Sequence, residues 1–249
     1  DFSALEEHVY YTAEHPGAYP SKDNPQGGSL TDSRKFRSSI IWENTLSYSR
    51  KFNFGLGLNV VLGHSAQVDD SSTASQVGIG FPSSSFDVNS VAAEIKNASS
   101  GRTSYALQSY FGRVNLNYND RYVGTLTMRA DGSSKFAPEN RYGYFPSASI
   151  GWNADKEPWW HADGITMKIR ASIGATGNQG NIGAYAYQAL ASGGVNYNNA
   201  NGLGLSTPGN RDLKWETAVQ EDLGLDMSFF KGALSFTADV FNKDTRDLL

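Results

Sequence analysis

RVNLNYNDRYVGTLTMRADGSSKF, residues 113–136, holds almost no triplet that could do chemistry, yet it keeps a strict period of two. Every second position gives Val114, Leu116, Tyr118, Tyr122, Leu126, Met128 and Ala130, while Arg113, Asn115, Asn117, Thr125, Thr127, Arg129 and Asp131 lie between them. Successive side chains of a strand point to opposite faces, so the alternation describes two strands, each apolar on one face and wet on the other. Asn119-Asp120-Arg121 supplies the turn between them.

The same pattern recurs along the chain in pairs. Phe36, Ile40, Trp42, Leu46 and Tyr48 share a parity that resumes after Ser49-Arg50-Lys51 with Phe52, Phe54, Leu56, Leu58, Val60 and Leu62. Four hairpins follow from such runs, at 36–62, 105–130, 144–175 and 213–244, with residues 1–35 read as an external loop or a preceding hairpin. Two residues break the apolar parity, Gln108 and Glu221. Composition agrees with strands joined by polar loops: 26 Gly, 13 Tyr, 13 Phe and 5 Trp in 249 residues. With 39% apolar residues and no run near the ~18 that a membrane helix needs, a helical membrane protein is excluded.

Charge excludes a further class. The net charge of −4 comes from 21 basic and 25 acidic residues scattered singly, so there is no basic footprint for nucleic acid. With no cysteine, disulfides, thiolate nucleophiles and Cys-ligated zinc are all absent.

Connection lengths decide the architecture. Short turns alternate with the long connections 63–104, 131–143 and 176–212, which puts every short turn at one end of the sheet and every long loop at the other. Outer-membrane barrels are built this way, and most of the runs reach the ~9 to 11 residues that a tilted strand needs to cross a bilayer. Tyr48 and Phe52, Tyr118 and Tyr122, and Phe229 and Phe230 flank short turns, where an interfacial aromatic girdle lies. The fold expected is all-β, an antiparallel up-and-down transmembrane β-barrel of which about eight strands are present. Its apolar parity meets lipid. Arg113, Asn115, Arg129, Asp131, Lys168 and Arg170 face a watery lumen too charged to be a packed core.

The blocks SYFGRVNLNYNDRYVGTLTMRADGSSKFAPENRYGYFPSASIGW (109–152), KIRASIGATGNQGNIGAYAY (168–187) and LKWETAVQEDLGLDMSFFKGALSFTADVFNKDTRDLL (213–249) resemble the SusC/RagA family of TonB-dependent outer-membrane transporters of Bacteroidetes-type bacteria. The resemblance covers roughly 36–249 and implies a barrel of about 22 strands closed by an N-terminal plug. It further implies import of oligosaccharides or peptides received from a SusD-like surface lipoprotein and driven by the TonB-ExbB-ExbD complex. The chain opens on Asp1 and carries no plug-like or TonB-contacting segment, so it reads as a piece of something longer.

Site chemistry is sparse. His8, His15, His64 and His161 share no metal-ligand spacing and read as solvated loop histidines. The run GATGNQGNIG, 174–183, lacks the Gly-Lys-Ser/Thr ending of a phosphate loop. Glu6-Glu7, Asp69-Asp70 and the acidic cluster at 155–157 lack the alternation of a calcium loop. No catalytic residue, metal or cofactor is expected. The candidate contact region is the loop 176–211, where Tyr185, Tyr187 and Tyr197 offer flat faces and Asn178, Gln179 and Asn181 offer amides, a mixture suited to neutral polar ligands or a partner surface. Two other classes fit the same alternation: a small self-closed eight-stranded barrel with a structural or adhesive role, and a secreted carbohydrate-binding β-protein.

Overall fold

The computed structural model describes residues 2–11, 28–82, 85, 86, 88–198, 200 and 202–248, with the backbone alone for 2–11. The strands are β1 (Phe2–Tyr11), β2 (Ser29–Lys51), β3 (Leu56–Ile79), β4 (Glu94–Tyr118), β5 (Tyr122–Ser133) and β6 (Tyr142–Asn153). They continue with β7 (Thr166–Asn178), β8 (Leu190–Gly193), β9 (Leu203–Thr207), β10 (Glu216–Phe229) and β11 (Leu234–Arg246). Nine of them form one sheet in the order β1-β2-β3-β4-β5-β6-β7-β10-β11, and β8 and β9 pair separately. No helix among the described residues is long and apolar enough to cross a membrane.

Two compact units divide the chain. The first comprises Asp1–Ile40 and Gln67–Tyr105. In it β1 runs antiparallel to the start of β2, from Phe2 opposite Ser38 to Tyr11 opposite Ser29. Polar cross-links hold its strands: the Ser33 and Ser75 hydroxyls lie 2.9 Å apart, and Arg102 lies 3.8 Å from Asp70.

The second unit, Ile41–Ala66 with Ala106–Leu249, contains the period-two strands. Its hairpin turns use the left-handed backbone that matches strand twist. Asn119 and Asp120 have φ of 52° and 57°, and Asp120 N–H is accepted by Asn117 Oδ1 at 2.9 Å. Phe230 and Lys231 repeat this conformation between β10 and β11, with φ of 54° and 57°. The register is continuous: Asn115 faces Thr125, Thr125 faces Ser149, Ser149 faces Ser172, and Ser172 faces Asp222.

Three expectations need correction. The stretch 63–104, expected as loop, is largely strand, because β3 runs on to Ile79 and β4 starts at Glu94. Residues such as Gln67, Asp69, Asp70, Ser71, Ser72 and Thr73 pair in the sheet although neither face is apolar, since ladder hydrogen bonds ask for no hydrophobic period. His64 is consequently a strand residue rather than a loop histidine, as is His8 in β1. The polar face also holds a packed core: Phe136, Phe145 and Trp215 are buried together, with Leu107, Ile182 and Leu213 against them. Phe145 lies on the polar parity, and its ring fills space left by Gly143 and Gly177. His15 lies outside the described residues.

Candidate functional site

Cross-strand partners share a face, so the register puts Arg113, Asn115, Arg129, Asp131, Lys168 and Arg170 on one side of the second unit. Asn115 is a rung in a hydrogen-bonded ladder, donating to Asn59 Oδ1 at 3.1 Å and accepting from the Thr125 hydroxyl at 3.0 Å. Arg129 donates to Asp131 Oδ2 at 2.6 Å and to the Ser109 hydroxyl at 3.0 Å, with its guanidinium 5.8 Å from the centre of the Phe111 ring. Arg170 bridges two strands, donating through Nε to Asp226 at 3.0 Å and lying 2.6 Å from Asp239 through Nη2. Gly224 makes this possible, because a Cβ there would meet the Arg170 guanidinium at 2.5 Å and Asp239 at 2.7 Å. Beside Arg170 and Lys168, Thr125, Ser149, Gly151 and Ser172 line a bay of about 350 Å³. Arg113 is exposed. Such an array arranges water and polar solutes. No group of three or more His, Cys, Asp or Glu among the described residues could hold a metal.

The opposite face is apolar between two aromatic rows. At the short-turn end Tyr118, Tyr122 and Trp152 lie side by side across three strands. Tyr110 and Tyr144 flank Ala130 eight residues further along the same strands. At ~3.3 Å per residue the rows are about 26 Å apart along the strand. A tilt of ~40° reduces this to a height of ~20 Å, which the rings extend to roughly the 25 Å of an outer-membrane apolar band. Between the rows lie Val114, Leu116, Leu126, Met128, Ala148 and Ile150. The row at the long-loop end also contains Trp42 and His64, whose rings meet edge to face at 5.6 Å, with His64 4.8 Å from Tyr110. Gln108, the misfit of the sequence pattern, ties this row together: Nε2 donates to the Tyr110 hydroxyl at 2.9 Å, and Oε1 accepts from the Tyr142 hydroxyl at 3.2 Å. Sequence reading missed this row, because its rings flank no turn. The spacing from Tyr110 to Tyr118 and from Tyr144 to Trp152 is the signal that could have found it.

Below the short-turn row, Glu157 organises the connection between β6 and β7. Its carboxylate accepts from the Tyr122 hydroxyl at 2.6 Å and from Trp152 Nε1 at 3.0 Å, with Arg121 at 3.7 Å. The Tyr122 hydrogen bond first, then that of Trp152, holds the Glu157 carboxyl below its ordinary value.

The loop candidates are not gathered into one site. Asn178 is engaged at the root of the loop, donating to Glu216 at 3.2 Å and accepting from Gly180 N–H at 2.8 Å. Lys135 Nζ donates to the carbonyls of Gln179 and Ile182 at 3.3 and 3.1 Å. The Gln188 amide donates to the Tyr187 hydroxyl at 2.7 Å, Tyr185 is half-buried, and Asn181 is exposed. Tyr197 stands 86% exposed, in a turn where it bridges Ala200, at the tip of the β8–β9 hairpin. Val195, Leu203 and Leu205 are also exposed there. The other end of the loop is pinned by Arg211, which donates to both oxygens of Glu139 at 3.1 and 3.2 Å. Hydrogen bonding to Glu139's own backbone, then the Arg211 guanidinium, holds the Glu139 carboxyl below its ordinary value.

A sheet that separates lipid-compatible from water-compatible side chains, and is banded by two aromatic rows, is the wall of a transmembrane β-barrel. The chain belongs to the family described as TonB dependent receptor-like, beta-barrel, whose model matches residues 4–249. TonB-dependent receptor P3 of Formosa agariphila is 34% identical over 232 residues, which is 90% of this chain and 23% of that protein. TonB-dependent receptor SusC of Bacteroides thetaiotaomicron is 34% identical over 170 residues, 63% of this chain and 16% of that protein. The RagAB peptide transporter structure superposes with a TM-score of 0.89 at 25% identity, covering 100% of this chain and 27% of that chain. The siderophore receptor PirA of Acinetobacter baumannii, at a TM-score of 0.52 and 16% identity, shares the fold alone. The chain therefore spans about a quarter or less of the SusC/RagA-type relatives it matches. Barrels of this family are outer-membrane proteins.

Proposed function

We propose that this chain is part of the barrel wall of a SusC/RagA-type importer in the outer membrane. The whole transporter takes up oligosaccharides or peptides with a SusD-like surface lipoprotein and is driven by the TonB-ExbB-ExbD complex. The observation that carries this reading is the division of one register into an apolar band between aromatic rows and an opposite face bearing Arg113, Asn115, Arg129, Asp131, Lys168 and Arg170. In the importer the latter lines the water-filled path. Its carboxylates are held by Arg129 and Arg170 and its Asn115 amide by Asn59 and Thr125, which leaves a wetted wall over which a polar cargo can move.

Cargo or partner is met at the loop that carries Tyr185, Tyr187 and Tyr197, while Asn178 and Gln179 hold its root. Asn210 N–H donates to Ala186 O at 3.2 Å, so residues 190–207 can be excised and bridged by a short Gly-Ser link without opening the wall. In the whole transporter this deletion is expected to reduce uptake or lipoprotein co-purification while barrel assembly stays intact. Unchanged uptake at normal surface level reduces the hairpin to a spacer. An unaltered transporter that imports neither glycan nor peptide overturns the importer reading itself.

A further inference from the structure

Gln108 sits where an outward-facing amide has no place in a purely lipid-contacting surface, and its hydrogen bonds define what surrounds it. One Nε2 proton goes to the Tyr110 hydroxyl at 2.9 Å. The other is directed at His64 Nε2, 3.3 Å away. Since an amide nitrogen can only donate, His64 Nε2 is the acceptor and its ring proton lies on Nδ1. Tyr142 donates to Gln108 Oε1 at 3.2 Å. Each of these bonds leaves a complementary group over: Tyr110 accepts and keeps its own proton, Tyr142 donates and keeps its lone pairs, and His64 keeps Nδ1–H. The rim therefore presents two donors and one acceptor, flanked by the faces of Trp42 and Tyr144, which are 61% and 63% exposed.

No charged side chain takes part in this network. Neutral donors and acceptors beside flat aromatic faces suit a sugar ring, whose C–H face stacks while its hydroxyls both donate and accept. Directly below, on the same face of the same strands, Gly112 and Val114 follow Tyr110, and Pro146 and Ala148 follow Tyr144. With Leu126 and Met128 they line an apolar groove of about 590 Å³.

We propose that rim and groove are one seat for a glycolipid, with the saccharide headgroup on Trp42, His64, Tyr110, Tyr142 and Tyr144 and an acyl chain in the groove. This rests on the outer-membrane reading above, in which the long-loop end faces the outer leaflet. The seat takes the occupant because it is amphipathic along its length, and its two parts meet at the height where headgroups give way to acyl chains.

The test uses the whole transporter in phosphatidylethanolamine vesicles with and without monoglucosyl diacylglycerol, reading bound lipid by native mass spectrometry after extraction. Trp42→Leu combined with Gln108→Leu is expected to bind the glycolipid about tenfold more weakly, ~1.4 kcal/mol. Its insertion and heat-modifiable mobility should be unchanged, and Tyr122→Leu on the other row should bind normally. Gln108→Leu alone carries the same direction of effect if the double variant fails to assemble. Equal retention by wild type and variants, or equal retention of the glycolipid and phosphatidylethanolamine by wild type, overturns the seat. Failure of the wild type to insert into either vesicle overturns the membrane reading with it.

Discussion

Leu126 is the residue at which a charge tests the membrane reading most sharply. It lies opposite Val114 and Ala148, and Val114 is four residues from both Tyr110 and Tyr118, the β4 members of the two aromatic rows. Four residues at ~3.3 Å, tilted by ~40°, put it about 10 Å below one row and 10 Å above the other, at the middle of the band. Leu126→Arg should therefore carry the midplane cost of ~2 to 4 kcal/mol, whereas Lys at the neighbouring Thr127, on the wet face, should be nearly neutral. Two further positions on the same strand grade the effect: Met128→Arg is expected to cost less than Leu126→Arg, and Ala130→Arg, level with the outer row, ~0 to 1 kcal/mol. Denaturant titrations of the whole transporter folded into vesicles measure the series. A cost at Thr127 equal to that at Leu126, or a cost that does not fall from Leu126 to Ala130, refutes the assignment of faces and depth.

Two other outcomes follow from individual contacts. Gly224→Val introduces a side chain where the Arg170 guanidinium passes, so it should separate Arg170 from Asp239 and lower stability by ~1 to 3 kcal/mol in the same titration. Glu139, held below its ordinary value, stabilises the loop root fully above the unfolded carboxylate pKa of ~4.3 and progressively less as pH falls through the lower folded value. Hydrogen-exchange protection at 209–212, relative to the intrinsic rate at each pH, should therefore fall below about pH 4, and Glu139→Gln should remove that acid dependence. A loss of protection in acid that persists in Glu139→Gln would assign it to another group.

Period-two alternation made the membrane-crossing parts of β2, β3, β4, β5, β6, β7, β10 and β11 legible, because there one face must be apolar. Where strands leave the band that requirement ends. The outer half of β3, with Gln67, Asp69 and Asp70, carries no period for a reader to find. β8 and β9, four and five residues long, are too short to establish a period. Parity placed Arg170 on the wet face, but its meeting with Asp226 and Asp239 depends on a register across three strands and on the absence of a side chain at Gly224. Phe145 misleads for the opposite reason: it is a large apolar residue on the wet face, matched by Phe136 from the preceding β5–β6 connection and by Trp215 from the distant loop before β10, with ring centres 5.6 Å apart for Phe145–Trp215 and 5.1 Å for Phe136–Trp215.

The β8–β9 hairpin lies between β7 and β10, yet β7 and β10 pair without interruption from Ser228 opposite Thr166 to Glu216 opposite Asn178. Its root is closed by its own hydrogen bond between Ala186 and Asn210. Everything beyond that closure is an excursion whose length enters the stability of the wall only logarithmically, with ~0.6 kcal/mol for each doubling. Insertions, deletions and wholesale replacement of the tip are therefore nearly neutral to the barrel that carries them. Selection can rewrite the tip of this hairpin on a frame that need not change.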